Sequence, residues 1–187
     1  GKVNKKTGLP EYADVAAAKA AALKDYTMYG ALILKAGDAD GFVSGACHST
    51  ANTLRPGLQV IKTAPGVSTV SSCFIMVRNS ATGDREVLAM GDCAINIKPS
   101  ADELAEIAGE TAACAKIFGI DPKIAMLSYS TLGSGKGEDV DKMREATAKA
   151  KEKYPELDID GELQFDAAVS PRVAKTKCPD SSVAGHA

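Results

Sequence analysis

The 187-residue chain has a net charge of −2, with 45% hydrophobic and 25% charged residues, the composition of an ordinary globular protein long enough to bury a substantial core. The slightly acidic balance argues against a general electrostatic grip on nucleic acid and leaves only local basic patches. The longest apolar run near the start, Ala31 to Leu34, is far too short to cross a membrane. The five cysteines, at 47, 73, 93, 114 and 178, form no CxxC pair, and with two histidines they offer no zinc spacing. Cys73, Cys93 and Cys114 stand in apolar surroundings and read as small buried hydrophobes. Unpaired thiols suit a reducing compartment, which places the protein in the cytoplasm.

Residues Gly1 to Gly8 are basic and lack apolar periodicity. Alanine-rich Tyr12 to Lys24 predicts a helix with Asp14 near its front. Tyr29 to Lys35 reads as a helix or a strand, and Gly37 to Asp40 as a turn. Gly41 to Val43 predicts a short buried strand. Thr50 to Lys62 predicts a helix with Leu54, Leu58 and Ile61 inward, ended by Pro65-Gly66. Thr69 to Arg78 and Val87 to Met90 predict an antiparallel hairpin around a polar turn, Asn79 to Asp84.

Ser100 opens the clearest helix, Ala101 to Phe118, with Glu103 completing a capping box. Its inward stripe is Leu104, Ile107, Ala108, Thr111, Ala115 and Phe118. Lys123 to Tyr129 predicts a buried strand, and Glu138 to Tyr154 an amphipathic helix. On that helix Glu138–Lys142 and Glu145–Lys149 stand at i,i+4 on the wet face. A strand over Asp158 to Leu163, a last helix over Pro171 to Lys177 and a Pro-, Ser- and Gly-rich tail complete the chain. Alternating strands and helices point to an α/β protein with a mixed sheet.

In such sheets ligands gather beyond the carboxyl ends of strands. Three polar turns stand at such ends: Ser44 to Thr50, Ser128 to Gly137 and Gln164 to Ala168. In the first, small residues, hydroxyls, the following helix start and Arg55 suit a phosphate; the plainer alternative is a Ser/Thr-capped strand-turn-helix. His48 reads as a turn-stabilising or phosphate-contacting residue, or as a general base. The string GSGKGED is not a P-loop, because Ser130 stands at the first Gly position and Gly137 replaces the Ser/Thr. It is a glycine turn or a ligand loop. Asp92 reads as a turn residue or a site carboxylate, and Asp166 as a helix cap or a cleft residue.

The segments ADGFVSGACHSTANTLRP (39–56) and LQVIKT (58–63) resemble those of the phosphate acetyl/butyryltransferases, the phosphotransacetylases. DCAIN (92–96), AMLSYST (125–131), GKG (135–137), DGELQFDAA (160–168) and PDSSVAG (179–185) continue the resemblance in family order. The family implies reversible transfer of an acetyl group between acetyl phosphate and coenzyme A, with CoA a substrate and no cofactor or metal. It also implies homodimers of two α/β domains, a three-layer mixed sheet with helices on both faces, like isocitrate and isopropylmalate dehydrogenases, and an active site between the domains. On that pattern residues 1–40 are a remnant of the first domain, 41–170 the second domain and 171–187 a return segment.

Carried over by position, Arg55 matches a substrate-site arginine, and Ser44, Gly45, His48, Ser49 and Thr50 match the phosphate-binding turn. Ser128, Ser130 and Asp166 match cleft-lining segments. The family's thiol-activating aspartate follows a Ser-Arg-Gly-Cys segment that this sequence does not contain, and Val3-Asn4 stand where Leu-Arg is common. The expectation is therefore a fragment without the catalytic base, inactive by itself. Two alternatives stay open: a phosphate butyryltransferase, and a non-catalytic domain that senses acyl-CoA or phosphate.

Overall fold

The computed structural model describes residues 12–79 and 85–187. The basic stretch Gly1 to Gly8 and all but Asn79 of the expected hairpin turn lie outside the described residues. The chain divides into two compact units at Gly66/Val67.

In the first unit, Asp14 caps α1 (Val15–Lys24) by accepting from the Ala17 N–H at 2.7 Å. Asp25 caps α2 (Tyr26–Ala36) more firmly, accepting from the N–H groups of Thr27 and Met28, both at 3.0 Å, and from the Thr27 hydroxyl at 2.6 Å. Helix is thus the outcome for the ambiguous Tyr29 to Lys35 stretch. The expected strand at Gly41 to Val43 does not form. With no partner strand among the described residues, three residues gain too few backbone hydrogen bonds; Val43 is 99% exposed, and the Phe42 ring lies against Gly30 instead. The following helix comes in two pieces, α3 (Thr50–Pro56) and a π-helical turn, Gly57–Ile61. Pro56 has no N–H to donate, which interrupts the α-helical ladder, and Lys62 N–H closes a longer bond to the Gly57 carbonyl at 2.9 Å.

The second unit is mixed α/β. β1 (Cys73–Asn79) and β2 (Arg85–Gly91) pair antiparallel, with Cys73 opposite Gly91 and Asn79 opposite Arg85. β3 (Lys123–Leu127) and β4 (Asp158–Leu163) pair in parallel. These are two separate two-stranded sheets rather than the one mixed sheet expected. An apolar cavity of about 430 Å³ lies between them, walled by β2, β3 and α4 (Ala101–Ile117).

The α4 capping box forms as the sequence implies: Ser100 Oγ accepts from Glu103 N–H at 3.3 Å, and Glu103 Oε2 accepts from Ser100 N–H at 2.8 Å. Ser100→Ala removes half of this exchange and lowers stability by about 1 kcal/mol, readable in a urea titration. Phe118 is not inward but 58% exposed, because the helix ends at Ile117 and the 3.6-residue period no longer aims the next side chain. Helix α5 (Glu138–Lys153) packs on α4 through small residues, Ala105 and Ala108 against Ala146 and Ala150, with Met126 and Ile159 beneath. Tyr154 lies so close to Gly109 that a Cβ there would collide with its ring. Lys149 pairs with Glu145 as expected, but Lys142 pairs with Asp139 instead of Glu138.

Helices α6 (Phe165–Val169) and α7 (Pro171–Lys177) follow β4. The tail then closes a second core, burying Cys178, Val183 and Ala184 against Leu163, Ala167 and Ala174. Gly185 and Ala187 N–H groups donate to the carbonyls of Ala167 and Ala168 at 2.9 and 3.1 Å. Residues 171–187 thus pack within the second unit. Among the described residues no helix is long and apolar enough to cross a membrane.

Candidate functional site

The nine residues singled out by the sequence fall into two groups, one in each unit, and each group is described by itself. In the first unit Gly45 takes φ +112°, a conformation that favours glycine, and reverses the chain between Ser44 and the α3 start. Ser49 is the α3 cap: its Oγ accepts from Asn52 N–H at 3.3 Å, while its carbonyl accepts from the Thr53 hydroxyl at 3.1 Å. The His48 ring meets Tyr26 edge to face, centroids 6.2 Å apart, which gives it a turn-stabilising contact. Ser44, Thr50 and Arg55 are exposed, and no ion pair holds the Arg55 guanidinium among the described residues.

In the second unit the turn after β3 is tied to the end of β4 by a carboxylate that the sequence reading did not single out. Glu162 is 1% exposed. Its Oε1 accepts from Ser130 Oγ at 2.9 Å, Gly133 N–H at 2.8 Å and Arg144 Nη2 at 3.2 Å, and its Oε2 from Arg144 Nε at 2.9 Å. Burial opposes the charge, but Arg144, the Gly133 N–H and the Ser130 hydroxyl outweigh it and hold the carboxyl down to about 2. Ser130 Oγ also accepts from Gly135 N–H at 2.8 Å, and Leu132 N–H donates to the Glu162 carbonyl at 2.9 Å. So many bonds over-determine the turn and keep Leu132 at φ +42°, in the left-handed region. Thr131 Oγ1 donates to Gln164 Oε1 at 3.3 Å and accepts from Gln164 N–H at 2.9 Å, joining the two strand exits.

Three residues of this group differ in what they offer. Ser130 is fully buried, and its hydroxyl is committed within the turn. Ser128 is half-buried and accepts from Ser130 N–H at 3.3 Å. Asp166 is exposed and paired with Lys177 at 2.9 Å; Lys177 and then the Ala167 N–H draw its carboxyl below the ordinary range. The glycine turn itself makes a poor phosphate cradle. It enters α5 through Gly137 with no side-chain cap, and Glu138, Asp139 and Asp141 put three carboxylates in the first helical turn. Asp92 follows β2 at φ +54°, and burial pushes its carboxyl up, partly offset by Lys142. Among the described residues no group of three or more His, Cys, Asp or Glu is arranged to hold a metal.

The family model described as phosphate acetyl/butaryl transferase matches residues 11–187. A phosphate acetyltransferase of Haemophilus influenzae is 56% identical over 165 residues, 88% of this chain and 22% of the relative. A crystal structure of a phosphotransacetylase from Streptococcus pyogenes is 58% identical with a TM-score of 0.77, covering 88% of this chain and 49% of that one. The EutD phosphotransacetylase from Staphylococcus aureus is 46% identical with a TM-score of 0.79, over 92% and 52%. The chain thus spans between about a fifth and a half of the length of these relatives. With both groups of residues inside the matched range, the chain belongs to the phosphate acetyl/butaryl transferase family.

Proposed function

We propose that this chain is the phosphate-holding part of a phosphate acetyltransferase, which moves an acetyl group reversibly between acetyl phosphate and coenzyme A. The observation that carries the reading is the Ser44 to Arg55 segment, where exposed hydroxyls and an exposed guanidinium stand within the residues that the family model matches. Arg55 neutralises the phosphoryl charge, with Ser44 and Thr50 as hydroxyl donors. Gly45 lets the backbone approach, while His48 and Ser49 shape the turn. The Ser128 turn, fixed by Glu162, and Asp166 form a rigid substrate-facing surface, and Ser130 serves its interior.

The chemistry is attack of the CoA thiolate on the acetyl carbonyl, with phosphate leaving. A thiol titrates near about 8.5, so a base raises the thiolate fraction at neutral pH. The base is assigned to an aspartate of the family's later segment and to no residue of this sequence. The whole protein is a cytoplasmic homodimer in which the two strand pairs join one mixed sheet of the isocitrate/isopropylmalate dehydrogenase kind. In support of the joined sheet, β2 and β3 border the same apolar cavity and α4 packs on both pairs. The purified 187-residue chain, given acetyl phosphate and CoA, produces no acetyl-CoA above the uncatalysed rate; robust turnover would show that a base within these residues suffices.

A further inference from the structure

Cys73 on β1 and Cys114 on α4 stand 41 residues apart in sequence, yet their Sγ atoms are 2.8 Å apart. That is well inside ordinary contact between two sulfurs and needs less than about 1 Å of movement to reach bonding distance. Both residues are half-buried rather than sealed in the core. The third thiol nearby, Cys93, is engaged elsewhere: its Sγ lies 3.5 Å from Ser72 Oγ and 3.6 Å from the Ser72 carbonyl oxygen. The geometry points to a specific oxidation site, at which a peroxide converts Cys73 and Cys114 into a disulfide joining the β1–β2 hairpin to α4.

Burial and the neighbouring Cys114 sulfur push the Cys73 thiol up to about 12. One sulfur of the pair, as its thiolate, attacks one peroxide oxygen, the O–O bond breaks, and the departing hydroxide takes a proton to become water. The other sulfur then attacks the resulting sulfenic sulfur. The S–O bond breaks, the S–S bond forms, and hydroxide leaves with the second thiol's proton as a second water. Two thiols are oxidised by two electrons and one peroxide is reduced. Cys47, exposed in the first unit, and Cys178, buried in the second core, have no sulfur this close among the described residues and remain single thiols.

The test is hydrogen peroxide treatment of the purified chain, blocking of the remaining thiols with N-ethylmaleimide, and peptide mapping by mass spectrometry. The expected result is a Cys73–Cys114 peptide pair, reversed by dithiothreitol, still present in Cys93→Ser and absent in Cys114→Ser. A Cys73–Cys93 pair, or sulfenic and sulfinic forms of Cys73 and Cys114 without a cross-link, overturns the assignment. The mapping of the unsubstituted chain decides the matter even if Cys114→Ser folds poorly.

Discussion

Arg144→Ala destabilises the fold by clearly more than an ordinary surface substitution, because the carboxylate that Arg144 pairs with is buried. Arg144 supplies two of the four donors to a carboxylate that is 1% exposed, so its loss leaves a buried charge held only by Ser130 and Gly133. Urea unfolding at neutral pH measures the difference; a change below about 0.5 kcal/mol, the range of ordinary surface substitutions, would mean that Ser130 and Gly133 hold the carboxylate without help. Glu162→Ala differs in kind: Arg144, 43% exposed, turns to solvent, but Gly133 N–H and Ser130 lose their acceptor and the turn loosens.

Acid reports on the same network. Glu162 and Glu106 are both held down to about 2, well below their common ordinary value of 4.5. For Glu106, bonds from Thr69 and Ser68 are the cause; its carboxylate accepts from both N–H groups and from the Ser68 hydroxyl. A depressed carboxyl contributes stability that is complete above its unfolded value and is lost as pH falls through the folded one. Each therefore gives up about 3 kcal/mol between roughly pH 5 and pH 2. Arg144→Ala makes that acid dependence shallower, since Glu162 then titrates nearer its ordinary value.

What could be read from the sequence was what local rules decide. The capping box at Ser100 and Glu103 and the period of α5 rest on residues a few positions apart, and the hairpin on two strands adjacent in sequence; the structure has all three. Failures came where a distant partner, or its absence, decided the outcome. Gly41 to Val43 has strand composition but pairs with no strand among the described residues. Glu106 and Glu162 are charged residues in apolar settings, and only folding reveals the donors, 37 and 38 residues away for Glu106 and 18 to 32 for Glu162, that make burial tolerable. The burial of Ser130 has the same origin, because Glu162 claims its hydroxyl. The signal within reach was Glu162 itself, a carboxylate between Gly161 and buried Leu163 in a strand otherwise lined by apolar residues and aspartates.

Arg55→Ala has the largest expected effect on function. An exposed guanidinium with no ion-pair partner among the described residues costs little to remove from the fold, so the substitution separates binding from stability. If Arg55 holds the phosphoryl group, the loss is a charge-assisted pair of hydrogen bonds to a dianion, and no neighbouring hydroxyl replaces it. Removing one preorganised donor from a charge-stabilising site lowers turnover by about 100-fold to 1,000-fold. Arg55→Lys recovers only part of this, because an ammonium keeps the charge without the planar fork.

The decisive measurement is the steady-state rate of acetyl-CoA formation from acetyl phosphate and CoA, in a complete enzyme carrying this segment, wild type against Arg55→Ala, with unfolding midpoints recorded in parallel. Arg55 as the phosphate ligand requires kcat/KM for acetyl phosphate to fall by about 100-fold or more at an unchanged midpoint. Unchanged kinetics in the folded variant would contradict the assignment of the Ser44 to Arg55 turn as the phosphate site.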